Sequence, residues 1–437
     1  MRGRWPTLLA LWLALPALRA EPLPQPLTLS GALALAADTH PDIRASLAAR
    51  DLARAERDAV TASTAFEARL LADGRWVQPS TGGSGDLGGS GSELTSRNDS
   101  RVHLILSRQL YDFGRSAAET AAAEARSEAE DIRVEAARSA HRLRVMRDFF
   151  DVLLADLAFA EADEAMAIEF VRLERVENRH QLGQASDVAL ADQQFRYQRQ
   201  RLRRYRAEAD QRTTRARLAE TLDRPGELPG DLVAPQLAEP PAELPELDVW
   251  IERALRDNPR LRALRAEAEA AREQLRAARY AGRPVLRGEL RASDWAREFS
   301  TREKYRAGLV LDMPLYTGGR TDALRARARA KLDEVEARLA ARESEIRQAL
   351  REARERLRVL RAQRDQALSE LELRDLRLDR ARTLYDMEAV ADLGNAMSDF
   401  SGARLREAQA RYQMVLTRGE VALLLGDTGW TPLKPPP

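Results

Sequence analysis

Two stretches of this chain run without glycine or proline for far longer than a globular helix needs: Ser116 to Leu182, 67 residues, and Arg320 to Leu393, 74 residues. Both are built largely from Ala, Leu, Arg and Glu, which lose little on entering a helix. At about 1.5 Å per residue, each stretch predicts a helix on the order of 100 Å long. A compact core cannot cover such an element, so it must lie along neighbours of its own kind. In the second stretch Leu332, Leu339, Ile346, Ala353, Leu360 and Ala367 recur every seven residues. The positions three further on, Val335, Arg342, Ala349, Arg356 and Gln363, are mixed. That pattern predicts a narrow coiled-coil seam and a broad polar surface. Composition fits, with 5% aromatic residues, 32% charged residues and a mean hydropathy of -0.48. Gly183 in "HQLGQASDV" and Gly394 in "VADLGNAMSD" mark the expected reversals, with returning helices predicted over 184–223 and 395–425.

Nearly the same words introduce both stretches. "QLYDFGRSAA" (Gln109 to Ala118) and "PLYTGGRTDA" (Pro314 to Ala323) align at an offset of 205. Earlier, "THPDIRAS" from Thr39 and "DNPRLRAL" from Asp257 align at an offset of 218, pairing Pro41 with Pro259 and Arg44 with Arg262. The offsets differ by 13, and the Gly/Ser-rich run from Pro79 to Asp99, much longer than its counterpart around Ala296 to Glu303, accounts for the difference. The chain therefore reads as a duplication. A first repeat spans 21–223 and a second 248–430, joined by a Pro-rich linker over 224–247 and followed by a tail over 431–437. Each repeat opens with a helix whose start is set by His40-Pro41 or Asn258-Pro259, a neighbouring Asp being the expected cap. Strands are predicted over 66–77 and 100–112, and again over 285–295 and 304–316. Leu309, Leu311, Met313 and Leu315 alternate with Val310, Asp312 and Pro314, a period of two. Each strand is about the length a tilted membrane strand needs.

The N-terminus carries Arg2 and Arg4, then the apolar run "WPTLLALWLALPAL", closing at Ala20. That order predicts a secretory signal peptide over residues 1–20 and an exported chain. No later segment has 18 consecutive apolar residues, so no membrane helix is expected. A net charge of +1 gives no reason to expect nucleic acid as a partner. The chain has no Cys, which excludes disulfides, thiolate metal sites and cysteine nucleophiles. The histidines His40, His103, His141 and His180 lie in four different elements without paired spacing, so no metal site, cofactor or catalytic group is expected. Asp148 and Asp151 fall on a strongly charged helix, where a solvated face is the expectation. The aromatics Trp76, Tyr111, Phe113, Trp295, Tyr305 and Tyr316 gather at strand ends, as interfacial girdles of a barrel do.

Four strands cannot close a membrane barrel, and an open edge in lipid is not tolerated. If these strands lie in a membrane, more than one chain must share the barrel. The doubled helix start at His40-Pro41 and Asn258-Pro259, the doubled "LYxxGR" and the reversals "LGQASDV" and "ADLGNAMSD" together resemble the TolC-type outer-membrane efflux protein family. The resemblance covers essentially the whole chain after residue 20. It implies a mainly α fold with a small membrane β part: a homotrimer forming one 12-stranded β-barrel continued by an α-helical coiled-coil tunnel. It also implies an outer-membrane exit duct, not an enzyme, that works passively with a periplasmic adaptor and an inner-membrane pump of the RND, ABC or a similar class, in efflux or type I secretion. An elongated periplasmic adaptor and a purely structural coiled-coil protein are the competing classes. The first needs a many-stranded β-domain, and the second has no use for the doubled strand pairs.

By the same resemblance the periplasmic constriction involves Asp187, Glu388, Asp392 and Asn395. Asn395 departs from the acidic pattern and weakens the inner ring, and Glu388 stands near a position where relatives have Gly. Asp187 and Asp392 are equally placed to cap the returning helices. Gly183 and Gly394 are the expected adaptor-contacting tips. Tyr111, Gly114, Arg115, Tyr316, Gly319 and Arg320 are the expected strand-to-helix junctions, with the arginines within reach of outer-membrane lipid phosphates or a neighbouring chain.

Overall fold

The computed structural model describes residues 23–35, 39–74, 100–241, 243–296, 304–387 and 392–434. The expected signal segment, Trp76, the Gly/Ser-rich run and Glu388 lie outside the described residues. The elements are α1 (Leu29–Leu35), α2 (Pro41–Ala62), β1 (Glu67–Asp73), β2 (Ser100–Tyr111), α3 (Arg115–Gln181) and α4 (Asp187–Thr221). They continue with α5 (Leu247–Asp257), α6 (Pro259–Tyr280), β3 (Val285–Ala296), β4 (Tyr305–Asp312), α7 (Arg320–Asp386) and α8 (Leu393–Leu424). The fold is mainly helical with one small sheet. No described helix is long and apolar enough to cross a membrane.

Two compact units are formed from interleaved segments, with boundaries inside α3, α7 and α8. One takes residues up to Ala37, Arg144–Gln236 and Ser369–Gln409. The other takes Asp38–Leu143, Leu237–Leu368 and Ala410–Pro437, and contains the sheet.

In the sheet-bearing unit the seven-residue seam of α7 is buried at Ile346, Ala353 and Leu360, which pack with Trp250, Leu261, Met414 and Val421. Its partner positions are Leu350 and Leu357, four residues on from the seam rather than three. The apolar stripe is thus broader than the expected mixed neighbour. The offset of three selected the flank of the stripe, whereas contact on a helix also follows the four-residue ridge. The helix starts at α2 and α6 are capped by the residue immediately before proline. His40 Nδ1 accepts the Asp42 N–H at 3.2 Å, and Asn258 Oδ1 accepts those of Arg260 and Leu261 at 3.0 and 3.2 Å. Proline forces that residue to extended backbone, where its side chain points at the orphan N–H groups. Asn258 also donates from Nδ2 to the Leu424 carbonyl at 2.9 Å, tying α6 to the end of α8.

The four strands form one antiparallel sheet in the order β1-β2-β3-β4, so the two repeats join at the central β2–β3 ladder. Register sorts the side chains by face. Leu70 opposes Leu104, Leu104 opposes Ala292, Leu106 opposes Leu290, and Gly288 opposes Leu309. Residues directly opposite share a face and neighbours along a strand alternate. One face therefore carries Ala68, Leu70, Leu104, Leu106, Leu290, Ala307, Leu309 and Leu311. The other carries Glu67, Arg69, Arg101, His103, Ser107, Arg287, Glu289, Arg291, Ser293 and Arg306. The polar face is internally paired: Arg101 meets Asp73 at 2.5 Å, His103 Nδ1 meets Ser293 Oγ at 2.8 Å, and Arg291 meets Glu289 at 2.7 Å. The apolar face is open, with Leu290 54% and Leu309 70% exposed.

Candidate functional site

Each strand-to-helix junction turns on two consecutive residues in the left-handed region. At the first these are Phe113 (φ 61°) and Gly114 (φ 93°), and at the second Gly318 (φ 59°) and Gly319 (φ 82°). Only Gly114 and Gly319 were singled out from sequence. Phe113 was missed because phenylalanine gives no local sign of a positive φ, whereas its counterpart Gly318 at the offset of 205 did. Asp112 holds the first turn, accepting the Gly114 N–H at 3.1 Å, the Ser116 N–H at 2.6 Å and the Gln109 side chain at 2.8 Å. At the second, the Arg320 N–H reaches the Thr317 carbonyl at 3.1 Å, and the Thr317 and Thr321 hydroxyls meet at 3.0 Å. Tyr111, Phe113, Tyr305 and Tyr316 are exposed. Arg115 pairs with Glu119 within α3 at 2.9 Å, and Arg320 is exposed.

The helix reversals lie in the other unit and differ from one another. Gly183 closes α3 with φ 70°, its N–H on the His180 carbonyl at 2.9 Å and that of Gln184 on Arg179 at 2.8 Å. This is a left-handed helix end of the kind glycine favours. Ser186, not Asp187, caps α4, its hydroxyl accepting the Ala189 N–H at 3.2 Å. Asp187 follows at the first helical position, 96% exposed, within 2.7 Å of His180 Nε2.

The second reversal comes earlier than Gly394 suggests. The helix expected to reach Leu393 ends at Asp386, and Asp392 caps α8 by accepting the Asn395 N–H at 3.2 Å. Gly394 therefore lies inside α8, where a Cβ would stand 3.0 Å from Ile168 Cγ1. Its lack of a side chain lets the first turn of α8 approach α3, which a search for helix breakers reads as a turn. At the repeat offset of 205, Asp187 corresponds to Asp392, and Gly183 to Glu388.

Around Asp392 a polar chain links three helices. Arg172 of α3 donates to Asp392 at 3.1 Å and to Glu169 at 2.7 Å, and Glu169 accepts from Gln193 of α4 at 2.7 Å. Asn395 donates its side-chain amide to Asp392 at 2.5 Å. Half-exposed pairs of this kind contribute up to about 1 kcal/mol each. The arrangement is a weak electrostatic clasp at the start of α8.

Two expectations about titratable groups change. His40 and His141 do come together, with ring centroids 4.3 Å apart, although 101 positions separate them. Asp148 is buried rather than solvated and accepts the Thr221 hydroxyl at 2.5 Å. Burial pushes the carboxyls of Asp148 and Asp151 up, against the opposing pull of Arg217 and Arg147. An acid raised in the folded state favours folding when protonated, so its contribution is full at low pH and is lost as pH rises through the raised value. Asp148→Asn keeps an acceptor for Thr221 without the buried charge. It should raise the unfolding temperature at neutral pH and leave it unchanged near pH 3, a contrast that a thermal melt at the two pH values would check. Among the described residues no group of three His, Asp or Glu side chains could hold a metal ion.

Residues 250–427 match the model of a family described as outer membrane efflux protein. No curated protein matches the chain. Among solved structures, the CmeC outer membrane channel of Campylobacter jejuni is 16% identical, covers 92% of this chain and 86% of its own, and superposes with a TM-score of 0.73. The outer membrane protein VceC of Vibrio cholerae is 16% identical over 91% of this chain and 96% of its own, with a TM-score of 0.70. The open state of the MtrE outer membrane channel of Neisseria gonorrhoeae gives 17%, 92%, 89% and 0.63 in the same order. The second half of the chain thus matches the outer membrane efflux protein family in sequence, and the chain has the fold of TolC-type outer-membrane channels.

Proposed function

We propose that the chain is one subunit of a homotrimeric outer-membrane exit duct, exported through a cleaved signal peptide over residues 1–20. It passively conducts substrate from a periplasmic adaptor and an inner-membrane pump of the RND, ABC or a similar class to the exterior of a Gram-negative cell. The observation that carries this reading is the two-faced sheet. One face is apolar and open, the other is polar and internally paired, and among the described residues the outer edges of β1 and β4 have no strand partner. In water such a sheet would aggregate through its edges and apolar face. In lipid the apolar face is solvated, and three copies close the edges into twelve strands with the polar faces inward. Tyr111 and Tyr316 then stand at the inner membrane interface, with Arg115 and Arg320 beside lipid phosphates.

Fractionation tests the reading. The chain should be recovered with the outer membrane, resist salt extraction and run as a trimer in mild detergent. Recovery as a soluble periplasmic monomer would overturn it, and is what an adaptor or a structural coiled-coil protein would give.

The clasp around Asp392, with Asn395 bonded to it, serves in this reading as part of the periplasmic closure, and Asp187, beside His180 at the first reversal, is proposed to join it. Arg172→Ala removes a weak pair and should change stability by no more than about 1 kcal/mol, whereas Asp392→Ala also removes the cap of α8 and should cost about 1–2 kcal/mol. Single-channel conductance in planar bilayers should rise in both variants, and the double variant should add little to either. Unchanged conductance would remove the clasp from the gate.

A further inference from the structure

Among the described strand residues the apolar face of the sheet carries a single cation. After Leu104 and Leu106, the next β2 side chain on that face is Arg108, exposed and directly opposite Gly288 of β3. The register of β1 sets Phe66 on its other side. The guanidinium lies over the Phe66 ring, 4.8 Å from its centroid. Arg108 meets no carboxylate among the described residues. Glu67 is held by Arg69 and Glu289 by Arg291, both on the polar face. Nor does a neighbouring copy supply an acid here. Closing the barrel sets β4 of the next copy beside β1, and the β4 side chains on this face are Tyr305, Ala307, Leu309 and Leu311.

Depth and shape both bear on what meets this arginine. Arg108 precedes Tyr111 by three residues, about 10 Å along a strand that leans in the membrane, and an arginine stem spans most of that distance. Its charge therefore reaches the headgroup level, whereas Leu290 lies in the middle of β3. Beside Arg108 the face is notched, because Gly288 has no side chain. Phe66, Leu106, Leu110, Leu290 and Leu309 wall the groove. A Cβ at position 288 would stand 3.3 Å from Leu110 Cδ1. The second repeat lacks the device, since at the offset of 205 Met313 stands where Arg108 does.

We propose that Arg108 and this groove bind one membrane phospholipid of the leaflet on the helix side. The Arg108 N–H groups take the phosphate diester, and an acyl chain lies in the groove over Gly288. The proposal rests on the exit-duct reading, which turns this face to lipid. Any lipid solvates the leucines, but a guanidinium at the edge of hydrocarbon needs an acceptor. With its flat face on the Phe66 ring, its in-plane donors remain directed outward, the geometry that suits a phosphate. One cation reads the phosphate and not the rest of the headgroup, so phosphatidylglycerol and phosphatidylethanolamine are both ligands. Because only the first repeat carries the site, a trimer holds three.

Native mass spectrometry of the full-length protein in mild detergent tests the site, with phosphatidylglycerol, a diacylglycerol of the same chains and inorganic phosphate as probes. Phosphatidylglycerol should bind saturably, up to three per trimer, and about ten-fold tighter than either other probe. Arg108→Leu should still insert and run as a trimer, since leucine suits a lipid-facing position, but should lose the saturable binding. Arg108→Lys should keep it to within about three-fold. Equal phosphatidylglycerol binding by the wild type and Arg108→Leu would overturn the proposal, as would diacylglycerol binding as tightly as phosphatidylglycerol. Inorganic phosphate binding as tightly would also overturn it, since the groove would then hold no chain. Each of these results leaves the duct reading standing while the same preparation forms conducting channels in bilayers. Failure of that preparation to insert and conduct would overturn the duct reading and the proposal with it.

Discussion

Leu290→Arg should remove the protein from the outer membrane. Leu290 lies in the middle of the apolar face, opposite Leu106 on β2 and Ala307 on β4. Arginine at the lipid-facing midplane of a barrel costs roughly 2–4 kcal/mol, and Leu309→Arg on the neighbouring strand adds a similar cost. If three copies share one barrel, as proposed, each substitution acts three times on the assembly. We expect the double variant to be absent from the outer-membrane fraction and to be degraded in the periplasm. The matched control is Ser107→Arg on the polar face, where Ser107 stands opposite Glu67 and Glu289 and an added cation gains partners. That variant should insert normally. If the polar-face control failed and the apolar-face variant inserted, the assignment of the two faces would be inverted.

Gly426→Ala should cost several kcal/mol, since among the described glycines an added Cβ makes its closest approach there. Gly426 follows α8 with φ 78°, and a Cβ there would lie 2.4 Å from the Asp257 carbonyl oxygen at the end of α5. A left-handed backbone costs a non-glycine residue roughly 1–2 kcal/mol, and overpacking against backbone that cannot yield adds about 1–3 kcal/mol. The neighbouring Asn258–Leu424 hydrogen bond would be pulled out of line by any shift that relieved the clash. A lowered thermal midpoint and protease cleavage near α5 are the expected readouts. Gly183→Ala, also in the left-handed region but with nothing within 4 Å of its Cβ, should show only the backbone part of the loss.

Sequence patterns with a short repeat were the easiest to read. The long helices follow from composition and the absence of breakers. The β strands follow from alternation, and the polar and apolar faces are the same alternation extended across the register. What depended on neighbours far along the chain was not legible. His141 gives no local sign that His40 will lie against it, and Asp148 looks like any charge on a charged helix until Thr221 covers it. Gly394 was misread for a related reason: glycine at a turn and glycine at a close helix approach look identical in sequence. The clasp of Arg172, Asp392 and Glu169 was half visible, since Asp392 was singled out but its cation 220 positions away was not.

The order of strands has a consequence for biogenesis. The hairpin halves β1–β2 and β3–β4 join near neighbours, whereas the central ladder joins His103 to Ser293, 190 positions away. Loop closure grows costly only slowly with length, but the distant ladder cannot begin until the second repeat is available. A chain exported as proposed would therefore, halfway across the inner membrane, carry a complete strand with an unclaimed edge and wait for its own second half. On that reading the first repeat is exposed the longest, with β2 rather than β3 left waiting for its partner.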